Sequence, residues 1–273
     1  MPKAQIGPFT MGEGQPLVLF AGPDTIETEA QTRATVEACR DVARKHGLPW
    51  VLKCSFDKAN RSQPDAFRGP GLEAGLALLA RLKKEYGFLL LTDVHEPSQA
   101  RAAAEVADVL QVPAFLCRQT DLIVACARTG RPVNLKKGQF VAPQDMKGAV
   151  EKARGAGNAN VFLTERGACF GYRDLVVDMR GLAEMRKLAP VCFDATHSVQ
   201  QPGRSADGST GGAREHVRLL ARAAVAAGVD ALFCEVHPDP DRAKVDGPSS
   251  LDFAGFEALV AEAVAIRRAL GQP

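Results

Sequence analysis

Several short apolar segments of this chain end in ionisable or amide side chains. The side chains at or just beyond these ends are Asp24, Lys53, Lys58, Asp93, Gln111, Asn134, Lys136, Lys137, Glu165, Arg166, Asp194, His197, Glu235 and His237. A charge beside an apolar segment is usually a solvated strand end, so one such residue carries little information. Lys53 and Lys136 differ because they lie inside their segments, where a cation needs an anionic partner or a water-filled mouth. The pattern therefore indicates a site that binds anions.

The cations near these ends would share one mouth if the segments were strands of a closed barrel. The five that come from three such segments are Lys53, Lys58, Arg61, Lys136 and Arg166. Arginine binds carboxylates and phosphates through two parallel hydrogen bonds, and lysine adds a point charge. Because the formal net charge of the chain is only +2, the attraction for anions is local. We therefore expect a phosphorylated small molecule as ligand, and neither nucleic acid nor a membrane as partner.

A second set of residues could bind a divalent metal ion. It consists of His197, Glu235 and Asp246, with Asp24 as a possible fourth member. Their nitrogen and oxygen atoms would suit Mn²⁺, Fe²⁺ or Zn²⁺, although the wide spacing makes the pattern weak and a lone histidine is more often an acid–base residue. The carboxylates would repel one another unless a cation, a proton or a lysine compensated them. No organic cofactor is expected.

The order of segments predicts the architecture that would bring these side chains together. Eight apolar segments read as buried strands: LVLFAG, WVLKCSF, FLLLTDV, DVLQVPAF, VNLKKG, VFLTERG, VCFDATH and ALFCEV. Segments long enough for helices lie between them, including 27–46, 72–86, 142–156 and 214–227. This alternation predicts an α/β fold, a single-domain (β/α)8 TIM barrel over residues 1–273. Catalytic groups of such barrels lie at the carboxyl ends of the strands, where these polar residues fall.

The remaining segments predict smaller features. Glycines around Phe9, Thr10 and Met11 indicate a short N-terminal β-hairpin that closes the bottom of the barrel. The Gly/Ser-rich stretch 201–212 should be a loop above the mouth, outside any packed element. The N-terminus lacks an apolar signal core and no long uncharged apolar run occurs, which favours a cytoplasmic location. The seven cysteines form no CxxC pair, so we expect reduced thiols, with Cys54 and Cys234 packed outside the barrel.

The segment KCSFDKANRS at residues 53–62 resembles the KANRS signature of the 3-deoxy-D-manno-octulosonate 8-phosphate synthase (2-dehydro-3-deoxyphosphooctonate aldolase) family. The resemblance covers nearly the whole chain. Supporting segments are FRGPG at Phe67, TDVHE at Thr92, PAFLCRQTDL at Pro113, NLKKGQF at Asn134, LTERG at Leu163, FGYRDLVVDMR at Phe170, DATHSVQ at Asp194 and EVHPDP at Glu235. The related heptulosonate 7-phosphate synthases carry a KPRTS-like motif in place of KANRS.

The resemblance implies a transferase that condenses phosphoenolpyruvate with D-arabinose 5-phosphate and water, for Kdo and lipopolysaccharide biosynthesis. It assigns the phosphoenolpyruvate site to Lys53, Lys58, Lys136, Arg166 and His197. It assigns the sugar phosphate and its hydroxyls to Asn60, Arg61 and Ser62, and the same pocket would be lined by Ser55, Asp93, His95 and Gln111. Arg118 would reach the sugar phosphate of a neighbouring subunit, which implies a homotetramer.

The family contains metal-dependent members with Cys at position 24 and metal-independent members with Asn there. This chain has Asp24 after an AGP segment typical of the metal type, but Asp246-Gly-Pro-Ser is similar to the other type. A divalent metal bound by Asp24, His197, Glu235 and Asp246 is therefore one expectation, and a metal-free site is the other. Alternative functions are a heptulosonate 7-phosphate synthase, a class I aldolase with a Schiff base at Lys53 or Lys136, and a non-catalytic sugar-phosphate sensor.

Overall fold

Eight parallel strands close into a barrel, as the sequence predicts. The computed structural model describes residues 1–204 and 210–273. The barrel strands are β3 (Val18–Gly22), β4 (Trp50–Lys53), β5 (Leu89–Asp93), β6 (Val109–Val112), β7 (Val133–Lys136), β8 (Val161–Glu165), β11 (Val191–Asp194) and β14 (Ala231–Glu235). The other strands form three short antiparallel ladders: β1 (Lys3–Ile6) with β2 (Phe9–Gly12), β9 (Ala168–Cys169) with β10 (Leu175–Val176), and β12 (Gln200–Gln201) with β13 (Gly211–Gly212). Pairing of β14 with β3 closes the ring.

One α-helix follows each barrel strand. The helices are α1 (Glu29–His46), α2 (Leu72–Tyr86), α3 (Ala100–Val106), α4 (Thr120–Arg128), α5 (Met146–Gly155), α6 (Met179–Arg186), α7 (Val217–Ala226) and α8 (Phe253–Ala269). Helix α1 begins where the Thr28 side chain accepts a hydrogen bond from the Gln31 amide, and it ends at Gly47, which adopts the left-handed conformation. Among the described residues, no helix combines the length and the apolar character needed to cross a bilayer.

Side chains of the barrel strands alternate between the interior and the helix layer. In β14, Phe233 belongs to a small cluster inside the barrel, whereas Leu232 and Cys234 belong to the larger cluster shared with the helices. Cys54 also lies in that outer cluster, and all seven cysteines are free. The prediction that Cys54 and Cys234 pack outside the barrel is confirmed. The same alternation determines which polar side chains can enter the mouth.

The N-terminal hairpin closes the end of the barrel at which the strands begin. Strands β1 and β2 pair antiparallel, and the buried Ile6 and Met11 join the interior cluster that contains Phe20. The Gln5 amide donates to Oδ1 of Asn160, just before β8, at 3.1 Å. The predicted hairpin is confirmed, and the mouth at the opposite end is the open one.

The prediction that residues 201–212 lie outside any packed element is wrong at both ends of the stretch. Gln201 pairs with Gly211, and the adjoining Gln200 pairs with Gly212, in the ladder of β12 and β13. A Cβ at Gly212 would lie 3.0 Å from the backbone of Pro248, so glycine permits this close approach. Residues 205–209, the centre of the predicted loop, lie outside the described residues.

Gly22 allows the end of β3 to approach the end of β4 closely. A Cβ at this position would lie 2.2 Å from the carbonyl oxygen of Lys53. We expect Gly22→Ala to lower the free energy of unfolding by roughly 1 to 3 kcal/mol, since the backbone of β4 must move. Gly148→Ala is the control, because a Cβ there meets nothing within 4 Å and alanine favours helix α5. Equal melting temperatures for the two variants would contradict this account.

Candidate active site

A cavity of about 570 Å³ opens at the carboxyl ends of the barrel strands. Most of the side chains singled out in the sequence line it. They are Lys53, Lys58, Asn60, Arg61, Ser62, Asp93, His95, Gln111, Lys136, Arg166, His197 and Asp246. The cations expected from separate strands therefore converge on one mouth.

Asp24 lies behind the cavity wall and pairs with two buried lysines. Its Oδ1 is 3.1 Å from Nζ of Lys53 and in close contact with Nζ of Lys58. Lys53 also donates to the backbone oxygen of Asp24 at 3.0 Å. Burial alone would raise the pKa of Asp24, but Lys58 and Lys53 outweigh it and hold this pKa well below its usual range. Asp24 is thus an ionised partner that fixes both ammonium groups.

Asp194 plays the corresponding part on the other side of the mouth. Its Oδ2 is 2.7 Å from Nζ of Lys136 and 2.8 Å from Nδ1 of His197. The backbone amide of His197 donates to Oδ1 of Asp194 at 2.8 Å. Lys136 also lies 4.5 Å above the ring of Phe233, a cation–π contact. One buried carboxylate therefore orients a lysine and a histidine together.

The ligating atoms of Asp24, His197 and Glu235 all lie within 4.8 Å of one another. Nε2 of His197 is 3.2 Å from Oε1 of Glu235, and its Nδ1 faces Asp194. Oδ2 of Asp24 and Oε2 of Glu235 are buried without a hydrogen-bond partner among the described residues. Burial raises the pKa of Glu235 to about 8, and the charge of Asp24 adds to this rise. Lys53 bridges Oδ1 of Asp24 and Oε1 of Glu235, at 3.1 and 3.4 Å, so a further proton or cation would serve the two remaining oxygens.

Without a bound metal ion, the imidazole of His197 would be protonated and positively charged at neutral pH. Burial lowers the pKa of His197, but Asp194 and Glu235 outweigh that effect and raise it to about 9. Asp246, expected as a fourth metal ligand, has its Oδ2 3.4 Å from Nε2 of His197. The same oxygen accepts a hydrogen bond of 2.6 Å from Gln200. Three of the four expected ligands therefore form the tight group, and Asp246 borders it.

Arg166 enters the mouth with part of its guanidinium group unused. Its Nη2 donates to Oε1 of Gln200, while its Nη1 is buried and has no hydrogen-bond partner among the described residues. Burial lowers the pKa of Arg166, although Asp194 and Asp246 partly offset this effect. A buried guanidinium with a free N–H group is suited to an anionic ligand.

The chain matches a family model and many curated sequences over nearly its full length. The model of the DAHP synthetase I family matches residues 3–268. Proteins named 2-dehydro-3-deoxyphosphooctonate aldolase are 52% identical in Desulfotalea psychrophila, with 95% of this chain and 93% of that protein covered, and 53% identical in a Synechococcus strain, with 99% and 96% covered. The Nitratidesulfovibrio vulgaris protein of the same name is 56% identical, with 91% of each chain covered. The chain belongs to this aldolase family. The resemblance inferred from KANRS and its supporting segments is confirmed.

Two of the aldolase-family residues expected at the substrate are not in the cavity wall. Ser55 lies behind it and donates to Oδ2 of Asp93 at 2.6 Å. Arg118 is exposed, and its backbone oxygen accepts a hydrogen bond of 2.7 Å from Lys152. This position leaves Arg118 free to face a second subunit, so its expected role stays a prediction.

His95 enters the aldolase-family mouth from the segment after β5. Its ring meets the ring of Phe56 edge-on at 5.8 Å, and its Nδ1 is buried without a hydrogen-bond partner among the described residues. Burial lowers the pKa of His95, although Asp93 and Asp57 oppose the effect. A neutral imidazole at neutral pH follows, with one nitrogen available to a ligand.

Three residues with no role predicted from the sequence organise the aldolase-family site: Gln200, Asp194 and Thr164. Gln200 connects Arg166 to Asp246, and Asp194 anchors Lys136 and His197. Thr164 donates a hydrogen bond to Asn134 inside the barrel. Asp194 was visible as a strand-end carboxylate. The other two are neutral residues, whose hydrogen bonds leave no pattern in one sequence.

Lys137 and Glu165 neighbour site residues but belong to the wall of the barrel. Nζ of Lys137 is 3.4 Å from Oε1 of Glu165 and donates to the carbonyl oxygens of Gly138 and Val141. The same Glu165 oxygen accepts from the amides of Arg166 and Gly167, at 3.0 and 2.6 Å. This buried pair therefore fixes the two loops that begin beside Lys136 and Arg166.

We expect Lys137→Met to destabilise the protein by about 3 to 5 kcal/mol, because Glu165 would remain buried without its cation. Lys147→Met is the matched control, since Lys147 is exposed and pairs with Glu151 at 3.6 Å on the surface of α5. The control should change stability by less than about 1 kcal/mol. Urea unfolding curves of both variants measure the difference, and similar midpoints would show that the Lys137 pair is dispensable.

Proposed function

We propose that the protein condenses phosphoenolpyruvate with D-arabinose 5-phosphate and water to give 3-deoxy-D-manno-octulosonate 8-phosphate and phosphate. The observation that carries this proposal is the near-full-length identity to aldolases of that name. In the reaction, C3 of phosphoenolpyruvate bonds to the aldehyde carbon and water adds to C2. Phosphate then leaves with cleavage of its bond to C2. The product would serve Kdo and lipopolysaccharide biosynthesis.

The buried cations are suited to the phosphoenolpyruvate half of this reaction. Lys53, Lys58, Lys136 and Arg166 line the cavity, and His197 lies beside Lys136. Phosphoenolpyruvate carries a carboxylate and a phosphate, so each anionic group can meet more than one of these cations. Positive charge held in place before the reaction would stabilise the departing phosphate. The lysines already have carboxylate partners, which reduces their freedom to move toward solvent.

The outer part of the cavity is suited to the sugar phosphate. Asn60 and Ser62 are exposed on the segment after β4, and Arg61 lies 3.9 Å from Asp246 across the mouth. Asp93 and His95 line the cavity nearer to the strand ends. The phosphate would bind at Arg61 and the hydroxyls at the neutral side chains, which would place the aldehyde toward the cationic end.

We expect phosphate release from phosphoenolpyruvate only when arabinose 5-phosphate is also present. Erythrose 4-phosphate in its place tests the heptulosonate alternative and should react far more slowly. Borohydride with either substrate should leave the protein mass unchanged, because no Schiff base forms at Lys53 or Lys136. Malachite green assays and mass spectrometry give these results. Ligand-dependent stabilisation without phosphate release would instead identify a sensor.

Lys136→Met tests the cationic pocket directly. Removing this ammonium group from the mouth should lower kcat/KM by roughly 100-fold or more, since a group beside developing charge is lost. Lys147→Met, on the exposed face of α5, should retain the wild-type rate. Equal rates for both variants would remove the pocket from the proposed mechanism.

We further infer that Asp24, His197 and Glu235 hold a divalent metal ion. Support comes from the unpartnered oxygens of both carboxylates and from Nδ1 of His197, whose contact with Asp194 leaves Nε2 for a metal. Without a cysteine among them, this oxygen and nitrogen set suits Mn²⁺, Fe²⁺ or Zn²⁺ and disfavours softer ions. A bound ion would supply positive charge for anionic oxygens in the mouth.

Metal removal should therefore lower the melting temperature as well as the rate. A strong chelator should strip about one equivalent of metal per chain, and added Mn²⁺ should restore the melting temperature. Glu235→Gln should neither retain metal nor respond to chelator, whereas the surface control Glu184→Gln should behave as wild type. Elemental analysis that finds no metal in the active wild-type protein would overturn the inference, and Glu235 and His197 would then act through protons.

We also infer that the whole chain forms one catalytic domain that assembles as a homotetramer. Exposed aromatic side chains on the loops at the mouth support self-association: Phe115, Phe140, Phe170 and Tyr172. Arg118 lies three residues from Phe115 and is exposed as well. Exposed aromatic side chains are enriched at protein interfaces. The expected cytoplasmic location stays a prediction.

A further inference from the structure

A line of hydrogen-bonded side chains crosses the barrel interior beneath the mouth. We call Ser55, Asp93, Gln111, Asn134 and Thr164 the polar belt. Thr164 donates to Oδ1 of Asn134 at 2.8 Å, and Nδ2 of Asn134 donates to Oε1 of Gln111 at 2.8 Å. Nε2 of Gln111 donates to Oδ1 of Asp93, and Ser55 donates to Oδ2 of Asp93 at 2.6 Å. The belt thus joins side chains from five consecutive strands or strand ends.

Every hydrogen bond of the belt points toward Asp93. Burial alone would raise the pKa of Asp93, but Lys53 and Lys58 outweigh it and hold the pKa below its usual range. An ionised carboxylate only accepts hydrogen bonds, so Gln111 must turn its NH₂ group toward Asp93. Its oxygen then faces Asn134, whose own oxygen faces Thr164. Reversing the Gln111 amide would place two acceptors together at Asp93 and two donors together at Asn134, and reversing the Asn134 amide would place two oxygens together at Gln111.

Only two members of the belt reach the ligand cavity. Asp93 and Gln111 line the cavity, whereas Asn134 and Thr164 are fully buried and do not. Below them lie apolar side chains of the barrel interior, including Val109 and Phe162. Asn134 and Thr164 therefore cannot contact a substrate, and their hydrogen bonds act on one through Gln111 and Asp93.

We propose that Asn134 and Thr164 are positioning residues that fix the Gln111 amide and the Asp93 carboxylate for recognition of the sugar hydroxyls. The inference rests on the proposed function. A polyhydroxylated aldose presents several hydroxyl groups, and a fixed order of donors and acceptors is what distinguishes one from another. Among the cations assigned to phosphoenolpyruvate, Lys58 lies 3.6 Å from Oδ2 of Asp93, whereas Thr164 stands three hydrogen bonds away from Asp93. A change at Thr164 should therefore affect the two substrates differently.

The test compares steady-state kinetics of Thr164→Val and Thr164→Ser. Valine keeps the shape of threonine without the hydroxyl, and serine keeps the hydroxyl. For the valine variant we expect kcat/KM for arabinose 5-phosphate to fall by about threefold to tenfold, the effect of one lost hydrogen bond. The KM for phosphoenolpyruvate should stay within about twofold of wild type, because its cations are untouched. The serine variant should recover the loss.

Thr92→Val is the matched control for removing a buried hydroxyl. Thr92 is fully buried on β5, alternates with the inward-facing Leu91 and Asp93, and its Oγ1 has no hydrogen-bond partner among the described residues. Its substitution should leave both KM values unchanged.

Asn134→Leu removes two hydrogen bonds of the belt and should lower kcat/KM for the sugar by at least about tenfold.

The outcomes separate the two proposals. An inactive wild-type protein would overturn the proposed function and, with it, the role of the belt. If the wild type is active and Thr164→Val and Thr164→Ser have equal kcat/KM for arabinose 5-phosphate, only the proposed role of the belt is overturned. A fall in kcat with both KM values unchanged, matched by a loss of folded protein in circular dichroism, would mean that Thr164 is merely structural and would also overturn it.

Discussion

Buried charge in the mouth is held by buried charge of the opposite sign. Asp24 faces Lys53 and Lys58, and Asp194 faces Lys136 and His197. An unpaired ion at these depths would lose its hydration without compensation, so the carboxylates are what permit a cluster of cations inside a folded barrel. The same pairs restrict the lysine side chains to one geometry. The arrangement is thus organised before a ligand arrives, and the unused N–H group of Arg166 remains for the ligand.

Because side chains alternate between the two faces of a strand, only one of two adjacent residues can point into the barrel or its mouth. Lys136 enters the mouth and Lys137 pairs with Glu165 in the wall, although both are buried lysines beside the same strand end. In the same way Thr164 joins the polar belt and Glu165 does not. A shift of one residue in the register of β7 or β8 would exchange these roles. The barrel therefore serves as more than a support, because its register assigns the chemistry of neighbouring side chains.

The sequence was sufficient for the barrel, its hairpin and most of the cavity wall, because apolar periodicity and charged strand ends are local patterns. The KANRS segment and its supporting segments also predicted the reaction. What one sequence could not supply were contacts between distant neutral groups, such as Gln200 with Arg166 and Asn134 with Gln111. The hydrogen bond from Ser55 to Asp93 was likewise not foreseen, since a motif gives proximity without the direction of each side chain, and the expected substrate contact of Ser55 stays a prediction. The ladder at Gln201 and Gly211 was missed because glycine-rich sequence is typical of loops.

The closure of β3 on β14 ties the first part of the chain to the last. Residues 18–22 find one of their two neighbouring strands only at 231–235, and Arg267 of α8 donates to the backbone oxygen of Gln15 at 2.6 Å. During synthesis, the first barrel strand therefore keeps an open edge until residues 231–235 have been made. The hairpin that closes the barrel precedes all eight barrel strands in the chain, yet the interior that it covers is complete only when β14 has joined. The barrel can therefore fold cooperatively only after β14 has been made, and the open edge of β3 must be kept from pairing with other chains until then.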